Sequence, residues 1–83
     1  MQAEEIGTRV NSFIGKNFLF DENKKVPEHE SLLGSGVIDS TGILELIAFL
    51  EQEYNVKFED NELVAENFDS INNIKAFLAK KIR

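Results

Sequence analysis

Residues 32–54 read LLGSGVIDSTGILELIAFLEQEY, and this stretch decides the fold. Ile43, Leu46, Ile47, Leu50 and Tyr54 form one stripe at the three-and-four spacing of an amphipathic helix. Phe49 lies beside that stripe and is expected in the core. The spacing predicts a helix over residues 40–54. Ser40 is the expected N-cap, because its hydroxyl oxygen can accept a bond from a free backbone N–H of the first turn. Asn55 is a fair stop. Upstream, Gly34 and Gly36 free the backbone, and Val37 and Ile38 can pin the loop to a core. A serine at the head of a helix is surface-exposed. A phosphodiester formed on it would lie near the positive end of the helix dipole and the first free N–H groups. Taken alone, an Asp-Ser pair in this position is ordinarily a cap and nothing more.

The same periodicity extends in both directions. Ile6, Val10, Phe13 and Ile14 predict a first helix over residues 3–16, with Glu4, Glu5 and Lys16 placed to complement its dipole. Gly15 should weaken its last turn and help stop it. Residues 17–39 carry Asn17, Asn23, Pro27, Gly34 and Gly36, which break any long helix. So long a connection is unusual unless it packs or has a function. Its apolar residues Phe18, Leu19, Phe20, Val26, Leu32, Leu33, Val37 and Ile38 point to packing across the bundle, with a short helical turn near residues 27–32. After an extended link at 56–58, Asp60 can cap a short third helix over 61–66, with Leu63 as an inward anchor. Asp69 or Ser70 then caps a last helix over 71–82. Ile71, Ile74, Phe77, Leu78 and Ile82 form its apolar face, and Lys80, Lys81 and Arg83 its cationic end. The expected fold class is therefore all-α, a four-helix bundle of three longer helices and one short third helix. A long loop joins helices 1 and 2, and residues 1–83 form a single domain.

Composition narrows the function. Eighty-three residues bury only about 60–65% of the unfolded surface, too little to wrap a large substrate. Fifteen acidic against nine basic residues give a net charge of −6, which phosphate backbones repel, so no nucleic-acid partner is expected. The absence of cysteine excludes disulfides and thiolate chemistry and fits a reducing, cytoplasmic setting. The start of the chain lacks the features of a signal peptide, and no apolar run reaches membrane-spanning length. The run from Asp21 to Leu32 is a poor calcium loop, lacking the glycine at position six and the glutamate at twelve. His29 is the lone histidine and reads as a surface residue. Ser40 therefore has no evident triad partner, and no metal site is expected.

On the segment GVIDS at the head of an acid-flanked second helix, the chain resembles the acyl and peptidyl carrier protein family. The likeness continues through Glu45, Leu46, Leu50, Glu51, Glu53, Tyr54, Phe58 and Asp60, and through helix order, length and charge. It implies that Ser40 is the attachment point for 4'-phosphopantetheine, delivered from coenzyme A by a phosphopantetheinyl transferase, with Asp39 helping to engage that enzyme and its metal. It implies a monomeric carrier without catalysis of its own, holding an acyl or aminoacyl group as a thioester in fatty-acid, polyketide or related biosynthesis. Its further partners would be a loading ligase and downstream synthases or transferases. It also makes the second helix the docking surface, through Thr41, Leu44, Glu45, Ala48, Glu51 and Gln52, where carboxylates beside an apolar patch suit a basic partner.

The departures are informative. Many carriers of fatty-acid synthesis have leucine and then an acid after the serine, where this chain has Thr41 and Gly42, and Gln52 stands where another acid is common. Gly42 should loosen the first turn by about 1 kcal/mol relative to alanine. A specialised free-standing carrier is the better expectation. Seven phenylalanines make a bulky core that favours short or exposed cargo. The alternatives are a peptidyl or aminoacyl carrier, or an acidic helical interaction module in which Ser40 is only a cap.

Overall fold

The computed structural model describes residues 3–21 and 23–82. Arg83, and Glu22 of the calcium-like run, lie outside them. The element order is α1 (Ala3–Asn17), α2 (Ser40–Tyr54), a 3-10 turn (Asp60–Glu62), α3 (Ala65–Phe68) and α4 (Ile71–Lys81). The described residues thus form the expected all-α arrangement, with a long irregular connection over residues 18–39.

The core follows from the predicted stripes. Ile6, Val10 and Ile14 of α1, Leu46 and Leu50 of α2, and Ile71, Ile74 and Leu78 of α4 are all fully buried. Each such side chain contributes about 1.5–3 kcal/mol relative to exposure. α1 packs directly on α4. α1 meets α2 through stacked Phe13 and Phe49 rings, with centroids 4.2 Å apart. Phe58, Phe68 and Phe77 close the far end, the first two edge-to-face at 5.3 Å.

The connection packs down as expected, but polar groups do much of the holding. The buried Asn11 side chain forms a two-way bridge to Val26, accepting its N–H at 2.8 Å and donating to its carbonyl at 3.2 Å. Both backbone groups of a buried loop residue are satisfied in this way. Asn72 N–H donates to the Glu28 carbonyl at 2.9 Å, and Lys75 pairs with the Glu28 carboxylate at 2.6 Å. Asp69 ties down residues 31–33: its carboxylate accepts from Ser31 Oγ at 2.7 Å and Leu33 N at 2.9 Å, and its carbonyl accepts from Leu32 N at 2.6 Å. Leu32 and Ile38 are buried, but Leu33 is not, and Phe20 stands out in solvent with its backbone left-handed at φ 56°.

Three local readings are corrected. Gly15 does not stop α1, which runs on to Asn17. Instead the connection crosses over this glycine, where a Cβ would lie 2.8 Å from the Asp21 carbonyl oxygen and 3.0 Å from that of Lys24. The short turn expected near residues 27–32 is present as a single hydrogen-bonded turn, closed by Glu30 N–H to the Pro27 carbonyl at 3.1 Å. The third helix does not span 61–66 from an Asp60 cap. Glu59 caps the 3-10 turn, exchanging side-chain-to-backbone bonds with Glu62, and α3 begins only at Ala65. Leu63 sits between the two pieces and is exposed, so Phe68 is the inward anchor. Ser70 caps α4 as expected, accepting from Asn73 N at 3.0 Å, and Asn55 ends α2 in the left-handed conformation.

Two outcomes follow. Asn11→Ala strands both buried Val26 backbone groups and should cost about 2–3 kcal/mol in urea unfolding. Glu62 accepts from Glu59 N and pairs with Lys81 at 2.9 Å, and these two contacts, the backbone bond foremost, hold its pKa below the usual glutamate range. A carboxylate with a lowered folded pKa stabilises above its unfolded pKa and loses that contribution as pH falls through the folded value. Glu62→Gln should therefore be less stable than the parent at neutral pH, and the two unfolding midpoints should converge in acid.

Candidate functional site

α2 begins at Ser40, but the cap is Asp39. Its backbone is extended (φ −96°, ψ −178°) and its Oδ1 accepts from Gly42 N at 2.7 Å. This corrects the reading of Ser40 as the cap. A carboxylate both accepts the bond and brings negative charge to the positive end of the dipole, which a hydroxyl cannot do. The correction changes what Ser40 is free to do. It is the first helical residue, exposed, and its hydroxyl is not used as the cap. The first bond of the helix runs from Ile43 N to the Asp39 carbonyl at 3.0 Å. The Ser40 and Thr41 N–H groups precede it, so the helix supplies them with no acceptor.

The segment leading into the serine is fixed on both sides. Asp69 holds residues 31–33, and Ile38 N–H donates to the Leu32 carbonyl at 3.1 Å with the Ile38 side chain buried in the core. Between them Gly36 takes a left-handed backbone, φ 82°, which a glycine adopts without strain.

An apolar groove of about 230 Å³ opens beside Ser40. Ile43, Leu44 and Ile47 of α2 form one wall, Leu33 an end, and Val64 and Phe68 the other wall. Leu33, Leu44, Leu63 and Val64 remain 37%, 66%, 43% and 41% exposed on its rim. Apolar side chains left clustered and exposed in this way make the groove a candidate binding surface. On the other side of the serine, Phe18, Val37, Asp39, Thr41 and Glu45 line a more polar cleft.

Thr41, Leu44, Glu45, Ala48 and Gln52 are all exposed and lie on one stripe of α2. Glu51 stands apart. It is half-buried, and its Oε2 accepts from Phe58 N at 3.1 Å, tying the link after α2 back onto the helix. The Gly42 Cα lies buried under Ile38 and Phe18. His29 is exposed, and no cluster of three or more histidine or acidic residues placed to hold a metal ion occurs among the described residues. No described helix is long and apolar enough to cross a membrane. The groove's Leu63–Phe68 wall escaped the sequence reading, because periodicity assigns an isolated leucine inward. The only available signal was the short apolar cluster Leu63-Val64-Ala65 with no helical partner residues.

The helix order, the anchored loop and an exposed serine beside an apolar groove at the head of the second helix define an acyl-carrier-like bundle. No family model matches the chain. It is 30% identical over 79 residues to an acyl carrier protein of Thermotoga maritima, a match covering 95% of this chain and 94% of that protein. It is also 38% identical over 56 residues to a D-alanyl carrier protein of Streptococcus suis, covering 68% and 71%. The chain belongs to the acyl carrier protein family, and its role is that of a carrier protein.

The cap is directly testable. Asp39→Ala should cost about 1 kcal/mol in chemical denaturation, whereas Asp39→Asn, which keeps an acceptor, should lose only the smaller charge–dipole share.

Proposed function

We propose that Ser40 carries 4'-phosphopantetheine and that the chain transports an acyl group as a thioester on that arm. The observation that carries this reading is the separation of roles between neighbours: Asp39 makes the cap, leaving the exposed Ser40 hydroxyl available at the edge of an apolar groove. The residues fit the group. The Ser40 and Thr41 N–H groups and the helix dipole favour a phosphodiester at Oγ, and the rim leucines and Val64 favour an apolar cargo nearby.

A phosphopantetheinyl transferase would load the arm from coenzyme A. The Ser40 Oγ–phosphorus bond forms as the pyrophosphate bond of coenzyme A breaks, adenosine bisphosphate leaves, and the hydroxyl proton passes to base or solvent. When bound, the arm supplies a thiol for the thioester. The protein's own part is to present the hydroxyl, shelter the cargo, and offer Thr41, Leu44, Glu45, Ala48 and Gln52 to loading and synthase enzymes. The net charge of −6 favours partners with basic docking faces. Glu51, spent on Phe58, serves that surface mainly by holding α2 in place. No catalysis is assigned to the chain itself.

An aminoacyl cargo is the second reading, supported by the likeness to a D-alanyl carrier protein. Incubation with coenzyme A, Mg²⁺ and a broad-specificity transferase should raise the intact mass by one phosphopantetheinyl unit, and Ser40→Ala should abolish the rise. An unmodified wild type with several such transferases would refute the proposal. Loading the modified protein with an octanoyl or an alanyl group then separates the cargoes. An acyl chain in the groove should shift the amide resonances of Ile47, Val64 and Phe68, and an alanyl group should leave them in place.

A further inference from the structure

Gly42 sits two residues after Ser40, and its surroundings are unusually close. A Cβ placed there would lie 2.8 Å from Ile38 Cγ2, 2.8 Å from the Phe18 ring edge at Cε1 and 3.3 Å from Asp39 Oδ1. Real Cβ atoms essentially never approach a neighbour within 3.0 Å. The backbone there is ordinary right-handed helix, so conformational freedom does not explain the glycine. The missing side chain does. Two of the three neighbours, Ile38 and Asp39, immediately precede Ser40, and Phe18 comes from the start of the long connection. Asp39 is doubly engaged, since its Oδ1 also accepts the Gly42 N–H. Any side chain at position 42 must displace the residues that set where Ser40 stands.

We propose that Gly42 is a positioning residue for loading of Ser40: its bare Cα is the seat on which Phe18, Ile38 and the Asp39 cap lock the attachment turn. The inference rests on Ser40 being the loaded residue. It reverses the sign expected from helix propensity. Alanine favours a helix over glycine, so a propensity role alone predicts a firmer first turn and unchanged or faster loading.

The test is steady-state loading kinetics with coenzyme A and a single transferase, run on the wild type, Gly42→Ala, Phe18→Ala and the double variant. Gly42→Ala is expected to lower kcat about tenfold while KM for the carrier stays within about twofold, a loss of about 1.4 kcal/mol in the transition state. The outer stripe of α2 that the transferase would grip is untouched, whereas the hydroxyl is displaced. Removing the Phe18 ring in the double variant should restore at least threefold of the lost kcat, because one of the two closest contacts is gone. Unchanged loading of Gly42→Ala overturns the proposal, as does a loss that the Phe18 deletion leaves unrelieved. If Gly42→Ala fails to fold by circular dichroism, folding and loading of the double variant support the seat, and failure of both variants overturns it. A wild type that is never loaded refutes the attachment reading itself, a result distinct from any of these.

Discussion

Asp69 is the residue on which the rest of the arrangement depends. One side chain and one carbonyl from the junction of α3 and α4 take three hydrogen bonds from residues 31–33, far away in sequence. An irregular connection has no continuous internal ladder to satisfy its backbone, so several of its buried groups find partners outside it. Asp69 supplies partners at the end nearest the site and Asn11 supplies them at Val26. Without these ties the connection would have only Val26, Leu32 and Ile38 as fully anchored apolar contacts. With them, the turn that carries Ser40 has a fixed start.

That anchoring also shapes the groove. Leu33 is held by its backbone N–H rather than by burial of its side chain, so it can stand at the end of the groove instead of sinking into the core. Phe68 sits one residue before Asp69 and forms the opposite floor. The same short segment therefore fixes the loop and lines the cavity, which couples the shape of the apolar groove to the position of the serine. Thr41, Glu45 and Gln52 lie exposed on the outer stripe of α2.

Much of this was readable in the residue order. The three long helices fall where period-3.6 stripes place them, because their apolar faces must be buried whatever they pack against. Ser70 and Asn55 behave as their side chains dictate. Ser40 was a sound cap by type, yet Asp39 was a better one a residue earlier, and the choice between adjacent capping residues depends on where the preceding chain enters. Leu63 had no periodic partners, so its assignment inward had little to rest on. Gly15 and Gly42 looked like weak points in helices, when both are places where another part of the chain comes too close for a side chain.

By itself, then, the sequence determined the helices, their apolar faces, the acidic surface and the serine at the head of α2. These follow from local periodicity and from the chemistry of single residues, which act over one or two turns. The tertiary structure alone decided which residue caps, which leucines stay outside, and why two glycines are needed. Those outcomes depend on contacts between residues 18 and 42, 11 and 26, and 33 and 69, and no local pattern records which distant segments meet.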